Sequence, residues 1–319
     1  MRVALIGFGN VGRAFSHLVE RKRAAFPFRI VGTHTRSGTA VDEAGLTAAP
    51  KFGPPLATIA EFLDRARPEV VCELTTLNPE SGEPAISHIR AAFGRGCHVI
   101  TANKGPIAHA YAGLREEARQ AGVEFRFEST VMDGAPVFNN VRNNLPGVRI
   151  LGFTGALNST SKLVIAAMRE GKSMEEGIRE AQRLGVAEAD AGYDIDGWDS
   201  AAKAAALANV LMNAGLTPQH VERRGIRQLT PERVRALAEK RKTVVLISRG
   251  RAAPHGIRLR VRAEVLDDAD VLAAVSGTSN ILLLHTDLMG TVGTVSISPG
   301  VEQTAYGVFS DLVDIARSL

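Results

Sequence analysis

The chain has 319 residues, of which 45% are hydrophobic and 23% charged, a composition typical of a soluble globular protein long enough for two domains. A formal charge of +4 with 5% aromatic residues excludes the basic, aromatic-interleaved surface of a typical nucleic-acid reader. No segment has the pattern of a signal peptide or a membrane span, and Cys72 and Cys97 lack metal-ligand spacing. We therefore expect a cytoplasmic protein with reduced cysteines and without nucleic-acid or membrane partners.

The chain opens with a predicted strand, a glycine turn and an amphipathic helix. After the apolar residues 2–6 come Gly7, Phe8, Gly9, Asn10, Val11 and Gly12. In this G-x-G-x-x-G spacing the first glycine permits the tight turn, the second admits a pyrophosphate, and the third lets the helix pack close to the strand. The surrounding strand and helix favour a dinucleotide-binding site over a purely structural glycine turn, with phosphate at the helix N-terminus.

The end of the second predicted strand, residues 28–33, indicates which dinucleotide binds. An NAD site usually has an acid here for the ribose 2′-hydroxyl, but this sequence has no acid before Asp42. It has Arg36, whose guanidinium can stack on adenine and bind a 2′-phosphate. We predict NADP(H) as the preferred cofactor and NAD(H) as the alternative, against the interpretation of Arg36 as a solvated loop residue.

Polar residues follow two further predicted strands of the first half. Strand 70–74 is followed by Thr75 and Thr76, and strand 98–101 by Asn103 and Lys104. Ligands of open parallel sheets bind at the carboxyl ends of the strands, which places these four residues at the cofactor, with Lys104 near its nicotinamide end. Helices are predicted at 58–66, 85–95 and 111–121, and a last strand at 124–128.

The character of the chain changes after this strand. Glu128 precedes a turn-rich hinge at 130–136, where its carboxylate and loop carbonyls suit a monovalent cation, Na⁺ or K⁺. Beyond it we predict a strand at 149–154, a capping box of Ser173 and Glu176, a half-buried strand at 257–265 and a hairpin at 281–297. A closing helix covers 304–316.

These patterns predict an α/β protein of two domains. The first, residues 1–130, is a Rossmann-like NAD(P)-binding domain onto which the helix at 304–319 packs back. The second, residues 131–303, is an α+β domain for substrate binding, catalysis and dimerisation. Its alternating strands need cover for their second face, which predicts a homodimer.

A stretch in the second half contains six acids or lysines close together, with the lysine after the acids. Residues 187–208 contain Glu188, Asp190, Asp194, Asp196, Asp199 and Lys203. In a helix over 199–212, Asp199 and Lys203 lie on one face, where they could hold a substrate hydroxyl. The alternative is an ordinary exposed ion pair. The crowded acids upstream favour a bound cation or cationic ligand, because each like charge makes the next harder to ionise.

The ordered segments GFGNVG, VCELTT, HVITANKG, FESTVMDGAP, GALNSTSK, AQRLGVAEAD and DIDGWDSAAKAAALA resemble the homoserine dehydrogenase family over nearly the whole chain. The most specific parts are TANKG and the A-E-x-D segment followed by D-x-x-G-x-D-x-A-x-K. The sequence resembles the short form of the family, without a C-terminal regulatory domain. The resemblance implies NAD(P)-dependent interconversion of L-aspartate 4-semialdehyde and L-homoserine, within threonine, methionine and isoleucine biosynthesis, by a dimeric enzyme.

The resemblance also implies roles for single residues. Lys203 matches the family's catalytic lysine, Asp199 its partner carboxylate and Lys104 the lysine of the TANK motif. Glu188 and Asp194 match acids around the substrate ammonium group, and Asn158 belongs to a motif at the substrate. The remaining matches are Glu128 and Val131, which correspond to the sodium-binding turn.

Two segments depart from the family pattern. The usual N-G-T-T-N is here Asn158-Ser-Thr-Ser-Lys162, and a usual G-x-G-A-G turn is here the shorter segment 298–302. Both leave substrate identity open. The alternatives are a related NADP-dependent oxidoreductase acting on another small amino-acid-like aldehyde or alcohol, and a cofactor-binding sensor without turnover.

Overall fold

The computed structural model describes residues 1–187 and 190–319, which form two units, each built on its own sheet. Unit 1 consists of residues 1–139 and 300–319, and unit 2 of residues 140–299. The sheets and helices confirm the expected α/β class.

The sheet of unit 1 has the strand order β3-β2-β1-β4-β5-β6. Its strands are β1 Arg2–Ile6, β2 Arg29–Thr35, β3 Gly38–Val41, β4 Val70–Glu73, β5 His98–Thr101 and β6 Phe125–Arg126. All described pairs are parallel except β2 with β3. The order reverses between β1 and β4, which is the point where Rossmann sheets bind a dinucleotide.

Helices cover this sheet and supply its apolar core. They are α1 Asn10–Lys22, α2 Ile59–Ala66, α3 Ala85–Phe93, α4 Lys104–Ala121 and α11 Val301–Ser318, with a 3-10 turn at Glu128–Thr130. Helix α11 packs on α1, where Phe309 and Leu312 join Phe15 and Leu18 in one buried cluster. Packing against α11, the last helix of the chain, therefore stabilises α1, the first.

Two local predictions in unit 1 are wrong at their ends. The predicted second strand extends to Thr35 and turns into β3, so Arg36 lies in the tight turn of a hairpin. The predicted strand 124–128 is only Phe125–Arg126, because the backbone N–H of Glu128 donates to the Asp311 carboxylate and the chain turns there.

The sheet of unit 2 has the order β12-β11-β7-β9-β10-β8. Its strands are β7 Ile150–Ala156, β8 Glu222–Arg224, β9 Lys242–Ala253, β10 Gly256–Asp267, β11 Asn280–Thr286 and β12 Thr291–Ser296. The predicted strand 257–265 and the hairpin are confirmed as β10 and as β11 with β12. The long strand β9, between β7 and β10, was not predicted.

Helices of unit 2 bring the acidic stretch onto this sheet. They are α6 Ser159–Arg169, α7 Met174–Arg183, α8 Gly192–Ile195, α9 Trp198–Met212 and α10 Pro231–Ala238, with a 3-10 turn at Pro218–His220, while α5 Phe138–Asn144 crosses the boundary between the units. The helix predicted at 199–212 and the capping box of Ser173 and Glu176 are confirmed. Helix α9 packs on β9 and β10 through fully buried alanines, whose small side chains allow close approach. None of the described helices is apolar over the length of a bilayer crossing.

A buried carboxylate joins α11 to the turn at Glu128. Asp311 is 1% exposed; its Oδ2 accepts the Glu128 N–H at 2.8 Å and its Oδ1 accepts Asn139 Nδ2 at 3.3 Å. Burial, together with the nearby charge of Glu128, raises the pKa of Asp311 to about 7, although these hydrogen bonds and Arg126 act in the opposite direction. The protonated form is therefore the one that the fold favours.

We expect Asp311→Asn to become more stable than the wild type as pH rises from 5 to 8. The folded pKa lies above the ordinary 3.8, so ionisation lowers stability progressively between pH 4 and 7, by at most roughly 4 kcal/mol, and asparagine avoids this loss. Urea unfolding at each pH measures the difference. Ser310→Ala, on the same helix and without an ionisable group, is the control and should show a pH-independent difference. A constant difference for Asp311→Asn would contradict the assignment.

Candidate active site

The glycine turn of unit 1 joins β1 to α1 with its second glycine open. Gly7 has φ +100°, and a Cβ there would lie 2.6 Å from the Leu74 carbonyl oxygen. A Cβ on Gly12 would lie 3.0 Å from the Gly7 carbonyl, whereas one on Gly9 would meet no other described atom within 4 Å. Gly9 is also the N-cap of α1 and has no side-chain cap. Backbone atoms therefore leave no room for a side chain at Gly7 and little at Gly12. Space is free beside Gly9, where a pyrophosphate would approach the helix N-terminus.

The other three residues of this turn have different environments. Asn10 is exposed, Val11 is half-buried, and Phe8 is 8% exposed with the Arg13 guanidinium 5.1 Å from its ring centre. Phe8 also contacts the Phe52 ring. Its side chain therefore anchors the turn, which leaves the backbone groups of the turn to face a ligand.

The ends of β4 and β5 are tied together by Asn103. Its Nδ2 donates to the carbonyls of Thr75 at 3.2 Å and Thr76 at 3.4 Å, and its Oδ1 accepts the Gly105 N–H at 2.9 Å as the cap of α4. Thr75 is half-buried and Thr76 exposed. Asn103 thus fixes the loop at the switch point, and Lys104, half-buried, is the first residue of the helix that it caps.

Glu73 is a residue of this region that the sequence analysis missed. It is fully buried at the end of β4, and its carboxylate accepts the Thr75 N–H at 3.1 Å, the Thr75 hydroxyl and the Thr101 hydroxyl at 3.1 Å. An acid that ends an apolar strand two residues before a predicted ligand loop is the signal that could have found it. Glu73 therefore fixes the loop at Thr75 from the end of β4.

Arg36 lies at the exposed turn between β2 and β3. The turn is ordered by the Thr35 hydroxyl, whose oxygen accepts the N–H groups of Ser37 at 3.3 Å and Gly38 at 3.1 Å. β2 is the neighbour of β1, so the turn is at the carboxyl end of the strand that follows the glycine turn. This is the position at which the 2′ group of a dinucleotide is read.

Glu128 and Val131 lie together at the turn that follows β6, and both are buried. The Glu128 carboxylate accepts the backbone N–H groups of Val137 at 2.6 Å, Phe138 at 2.8 Å and Asn139 at 2.6 Å. These are donors at the start of α5, whose partial positive charge a carboxylate stabilises. Glu128 is therefore a helix cap, a role that the sequence analysis did not foresee.

In unit 2, Asp199 and Lys203 form a largely buried pair on α9. Asp199 Oδ2 and Lys203 Nζ are 3.3 Å apart, and each side chain is only 15% exposed. Lys203 Nζ also donates to the Leu157 carbonyl at 2.6 Å, at the end of β7. The interpretation as an ordinary exposed ion pair is wrong, because both groups are withdrawn from water and directed to a strand end.

Asn158 links this pair to a second carboxylate. Its Nδ2 donates to Asp194 Oδ1 at 2.6 Å and to Asp199 Oδ2 at 3.0 Å, while its Oδ1 accepts the Ser161 N–H at 2.7 Å and caps α6. Asp194 Oδ2 also accepts the Thr160 hydroxyl at 2.8 Å. The structure thus brings Asn158, Asp194, Asp199 and Lys203 together, and we call these four residues the charge cluster.

Within the charge cluster, the surroundings of Asp194 disfavour its ionised form. Burial and then the negative charge of Asp199 raise the pKa of Asp194, although the hydrogen bonds from Asn158 and Thr160 and the charge of Lys203 act to lower it. A cation arriving at Asp194 would favour its ionised form and so would be bound. The acid crowding seen in the sequence therefore has the predicted electrostatic consequence.

Two other acids of the stretch, Asp190 and Asp196, have partners outside the cluster. Asp196 forms a two-pronged ion pair with Arg227 at 2.6 and 2.8 Å, and Asp190 accepts the Gly192 N–H. Glu188 lies outside the described residues. Within residues 1–187 and 190–319 no group of three His, Cys, Asp or Glu side chains is arranged to hold a metal.

Comparisons with known proteins agree with this arrangement. Residues 7–128 match the sequence profile described as the NAD binding domain of homoserine dehydrogenase, and residues 136–313 match the profile described as homoserine dehydrogenase. The chain is 33% identical to the homoserine dehydrogenase of Methanocaldococcus jannaschii, with 100% of this chain and 99% of that protein covered. It is 34% identical to an NAD(+)-dependent homoserine dehydrogenase of Pseudomonas canavaninivorans, with 99% and 96% covered.

Solved structures show the same likeness. A crystal structure of a homoserine dehydrogenase from Thiobacillus denitrificans superposes with a TM-score of 0.86 at 30% identity, over 99% of this chain and 73% of that one. A hyperthermophilic archaeal homoserine dehydrogenase in complex with NADPH superposes with a TM-score of 0.84 at 28% identity, over 100% and 98%.

Fold and sequence relationships together define an NAD(P)-dependent oxidoreductase acting on a CH–OH group. The chain belongs to the homoserine dehydrogenase family.

We expect Asn158→Ala to lower the free energy of unfolding by about 2 to 4 kcal/mol, because it removes a helix cap and two hydrogen bonds to buried carboxylates. Asn158→Ser is the matched control, since its hydroxyl can still cap α6 but cannot reach both acids, and it should recover about 1 kcal/mol. Chemical denaturation measures both. Equal stability of Asn158→Ala and the wild type would show that the hydrogen bonds do not hold the cluster.

Proposed function

We propose that the protein interconverts L-aspartate 4-semialdehyde and L-homoserine with NADP(H) or NAD(H). The observation that carries the proposal is the charge cluster, in which a lysine and two carboxylates share a buried site around Asn158. An amino-acid aldehyde needs an acid for its ammonium group and a proton donor for its oxygen. This reaction fits a cytoplasmic role in threonine, methionine and isoleucine biosynthesis.

The bound cofactor supplies or accepts the hydride at the substrate carbon. In reduction, we assign the Lys203 ammonium to donate a proton to the aldehyde oxygen as the hydride reaches the carbon, which gives the alcohol; in oxidation, neutral Lys203 takes the hydroxyl proton. Asp199 keeps Lys203 in place from 3.3 Å and stabilises its charged form. Lys203 is already aimed at a strand end by the Leu157 carbonyl.

The remaining roles follow the same chemistry. We assign Asp194, together with Glu188, to the substrate ammonium group, because the raised pKa of Asp194 falls back when a cation binds. Asn158 orients both carboxylates of the cluster. Lys104 is assigned to cofactor and substrate on the family resemblance.

For the cofactor, we propose a preference for NADP(H), with NAD(H) accepted. Similar proteins include one named as NAD(+)-dependent and one solved with NADPH, so the family fold admits both. The glycine turn, Thr75, Thr76 and Asn103 serve either cofactor. The preference rests on Arg36, which is exposed at the end of β2 where an acid would favour NAD.

A monovalent cation at Glu128 and Val131 rests on the family resemblance alone. Each Glu128 carboxylate oxygen already accepts backbone N–H groups, so the donor set left for a cation consists mainly of backbone carbonyls. Carbonyl oxygens are ordinary ligands of Na⁺ and K⁺, so the residues of this turn fit such an ion, although no step of the proposed mechanism uses it.

We also propose a homodimer formed through the sheet of unit 2. Strand β12 is at the edge of that sheet, and exposed apolar side chains surround it, namely Leu288, Met289, Val295 and Ile297. Such an edge is a site of association unless it is covered.

We expect Lys203→Ala to lower turnover with aspartate 4-semialdehyde by a factor of about a hundred or more, with almost unchanged NADPH affinity, because a proton donor is lost while the cofactor turn is intact. NADPH oxidation followed at steady state measures turnover, and fluorescence titration measures binding. Lys240→Ala, an exposed lysine of the same unit, is the control and should behave as wild type.

Three other outcomes of this assay are informative. Wild-type turnover in Lys203→Ala would remove the role given to that lysine. Reduction of another small aldehyde in place of the semialdehyde would favour the related oxidoreductase. Cofactor binding without turnover of any aldehyde would favour the sensor.

We expect Arg36→Ala to weaken NADPH binding by roughly 1.5 to 3 kcal/mol and to leave NADH binding unchanged, because only the 2′-phosphate gives Arg36 a charged partner. Fluorescence titration of both cofactors on both proteins measures the effect. Arg21→Ala, an exposed arginine in the last turn of α1, controls for net charge. Tighter binding of NADH than NADPH by the wild type would contradict the preference.

We expect light scattering at micromolar concentration to give the mass of a dimer. Val295→Lys should shift the protein toward monomer, since it places a charge among the exposed apolar residues of the edge. Arg142→Lys, which keeps the charge of an exposed residue, is the control. A monomeric wild type would rule out the assembly.

A further inference from the structure

The short segment between the two acids of the charge cluster is held by residues that the proposed reaction does not use. Asp194 lies in α8 and Asp199 follows the first residue of α9, so residues 195–198 set the distance between the two carboxylates. The N-cap of α9 is Gly197, which has no side chain to cap the helix. The placement of both acids therefore depends on what contacts residues 195–198.

Backbone groups supply the first part of this contact. The chain after β8 passes so close to the end of α8 that a Cβ on Gly225 would clash with the Ile195 carbonyl oxygen and would lie 2.6 Å from the Asp196 carbonyl carbon. The next residue, Ile226, donates its N–H to the Ile195 carbonyl at 2.8 Å. Backbone packs directly on backbone, so a movement of one segment displaces the other.

Two arginines supply the second part of the contact. Arg223 on β8 donates from Nη1 to the Asp196 carbonyl oxygen, and its guanidinium carbon lies 3.8 Å from the centre of the Trp198 ring. Arg227 donates to both carboxylate oxygens of Asp196, at 2.6 and 2.8 Å. A guanidinium suits these contacts because it is planar, offers several donors and stacks on aromatic faces. We call the residues of this contact the arginine clamp, namely Arg223, Gly225, Ile226 and Arg227.

The arginine clamp acts on the substrate-binding acids more than on the lysine. Lys203 lies further along α9, and its ammonium donates to the Leu157 carbonyl at 2.6 Å, a contact outside the clamp. For Asp194, the hydrogen bonds from Asn158 and Thr160 direct the side chain, whereas the clamp fixes the backbone that follows it. Loosening the clamp therefore displaces the carboxylate while the lysine keeps its own partner.

We propose that the arginine clamp positions the carboxylates that bind the amino group of the substrate, and so sets the affinity for an amino acid separately from the proton transfer. This rests on the proposed function, which assigns that amino group to Asp194. Arg223 and Arg227 are positioning residues that act through residues 195–198. An ammonium group binds more tightly to carboxylates that are already in place, because binding then costs no ordering of the site.

The test follows L-homoserine oxidation with saturating NADP⁺ in the wild type, Arg223→Ala and Arg227→Gln. Calorimetry gives the dissociation constant of L-2-aminobutyrate, which has the amino group but no reacting hydroxyl and so reports binding without proton transfer. Trp198 is the only tryptophan in the sequence, so acrylamide quenching of the fluorescence of the cofactor-free protein reports whether residues 195–198 have loosened. Arg233→Ala, at an exposed arginine on α10, is the control of equal charge.

We expect Arg223→Ala to raise the KM for L-homoserine and the dissociation constant of L-2-aminobutyrate together by about five- to twentyfold, with kcat lowered by less than about threefold. Arg223→Lys keeps the charge over the ring and should recover part of the loss. Arg227→Gln does not remove a contact of Trp198 itself, yet it should increase quenching and raise KM by about two- to fivefold. Arg233→Ala should behave as the wild type.

Unchanged KM and amino-acid affinity in Arg223→Ala overturn the proposal, whether or not quenching increases. A fall in kcat as large as the rise in KM also overturns it, because the clamp then holds the whole site. If circular dichroism shows that Arg223→Ala is unfolded, Arg227→Gln at its exposed ion pair replaces it. A wild type that does not oxidise L-homoserine overturns the proposed function, and the affinity for L-2-aminobutyrate then still decides on the clamp. A wild type that binds neither amino acid overturns both.

Discussion

The structure of the site depends on keeping two carboxylates buried beside one lysine. Asp194 and Asp199 share Asn158 as a donor, and Lys203 is the nearby cation, so these three charges sum to minus one. Burial disfavours charged groups unless they are paired and hydrogen-bonded. The raised pKa of Asp194 shows that the partners of this carboxylate do not fully offset its burial and the charge of Asp199. A cationic substrate group completes the cluster, which is why the site favours an amino acid over a neutral aldehyde.

An asparagine at the end of a strand has the same structural role in both units. In each unit a strand ends in an asparagine that caps the next helix with its oxygen and ties down a second segment with its nitrogen. Asn103 caps α4 and holds the carbonyls of Thr75 and Thr76, whereas Asn158 caps α6 and holds two carboxylates. Asparagine suits both tasks because one amide offers an acceptor and two donors. The rigidity of the ligand loops therefore comes from strand ends and helix caps.

Local patterns predicted much of this architecture. The glycine turn, the helix at α9 and the hairpin of β11 and β12 each depend on residues close in sequence, and each is present. Strand β9 was missed because its first half contains the apolar run Val244 to Ile247 without alternation, which does not distinguish strand from helix. The role of Glu128 was missed because its partners are backbone N–H groups, which leave no trace in side-chain patterns. The role of Glu73 was missed because one of its partners, the Thr101 hydroxyl, is distant in sequence.

The departure at Lys162 has a structural explanation that narrows the question of specificity. A lysine in this segment could add positive charge at the substrate, but Lys162 is 9% exposed and its ammonium donates to the Asn158 carbonyl at 3.1 Å and to Asn280 Oδ1 at 3.3 Å. Lys162 therefore links the turn after β7 to the start of β11 and holds the backbone of Asn158 in place. Its charge is used within the scaffold, so it gives no reason to expect a different substrate. Of the two departures, the one that still bears on substrate choice is the segment 298–302, where Ser298 adopts φ +46° and its N–H donates to the Ser279 hydroxyl.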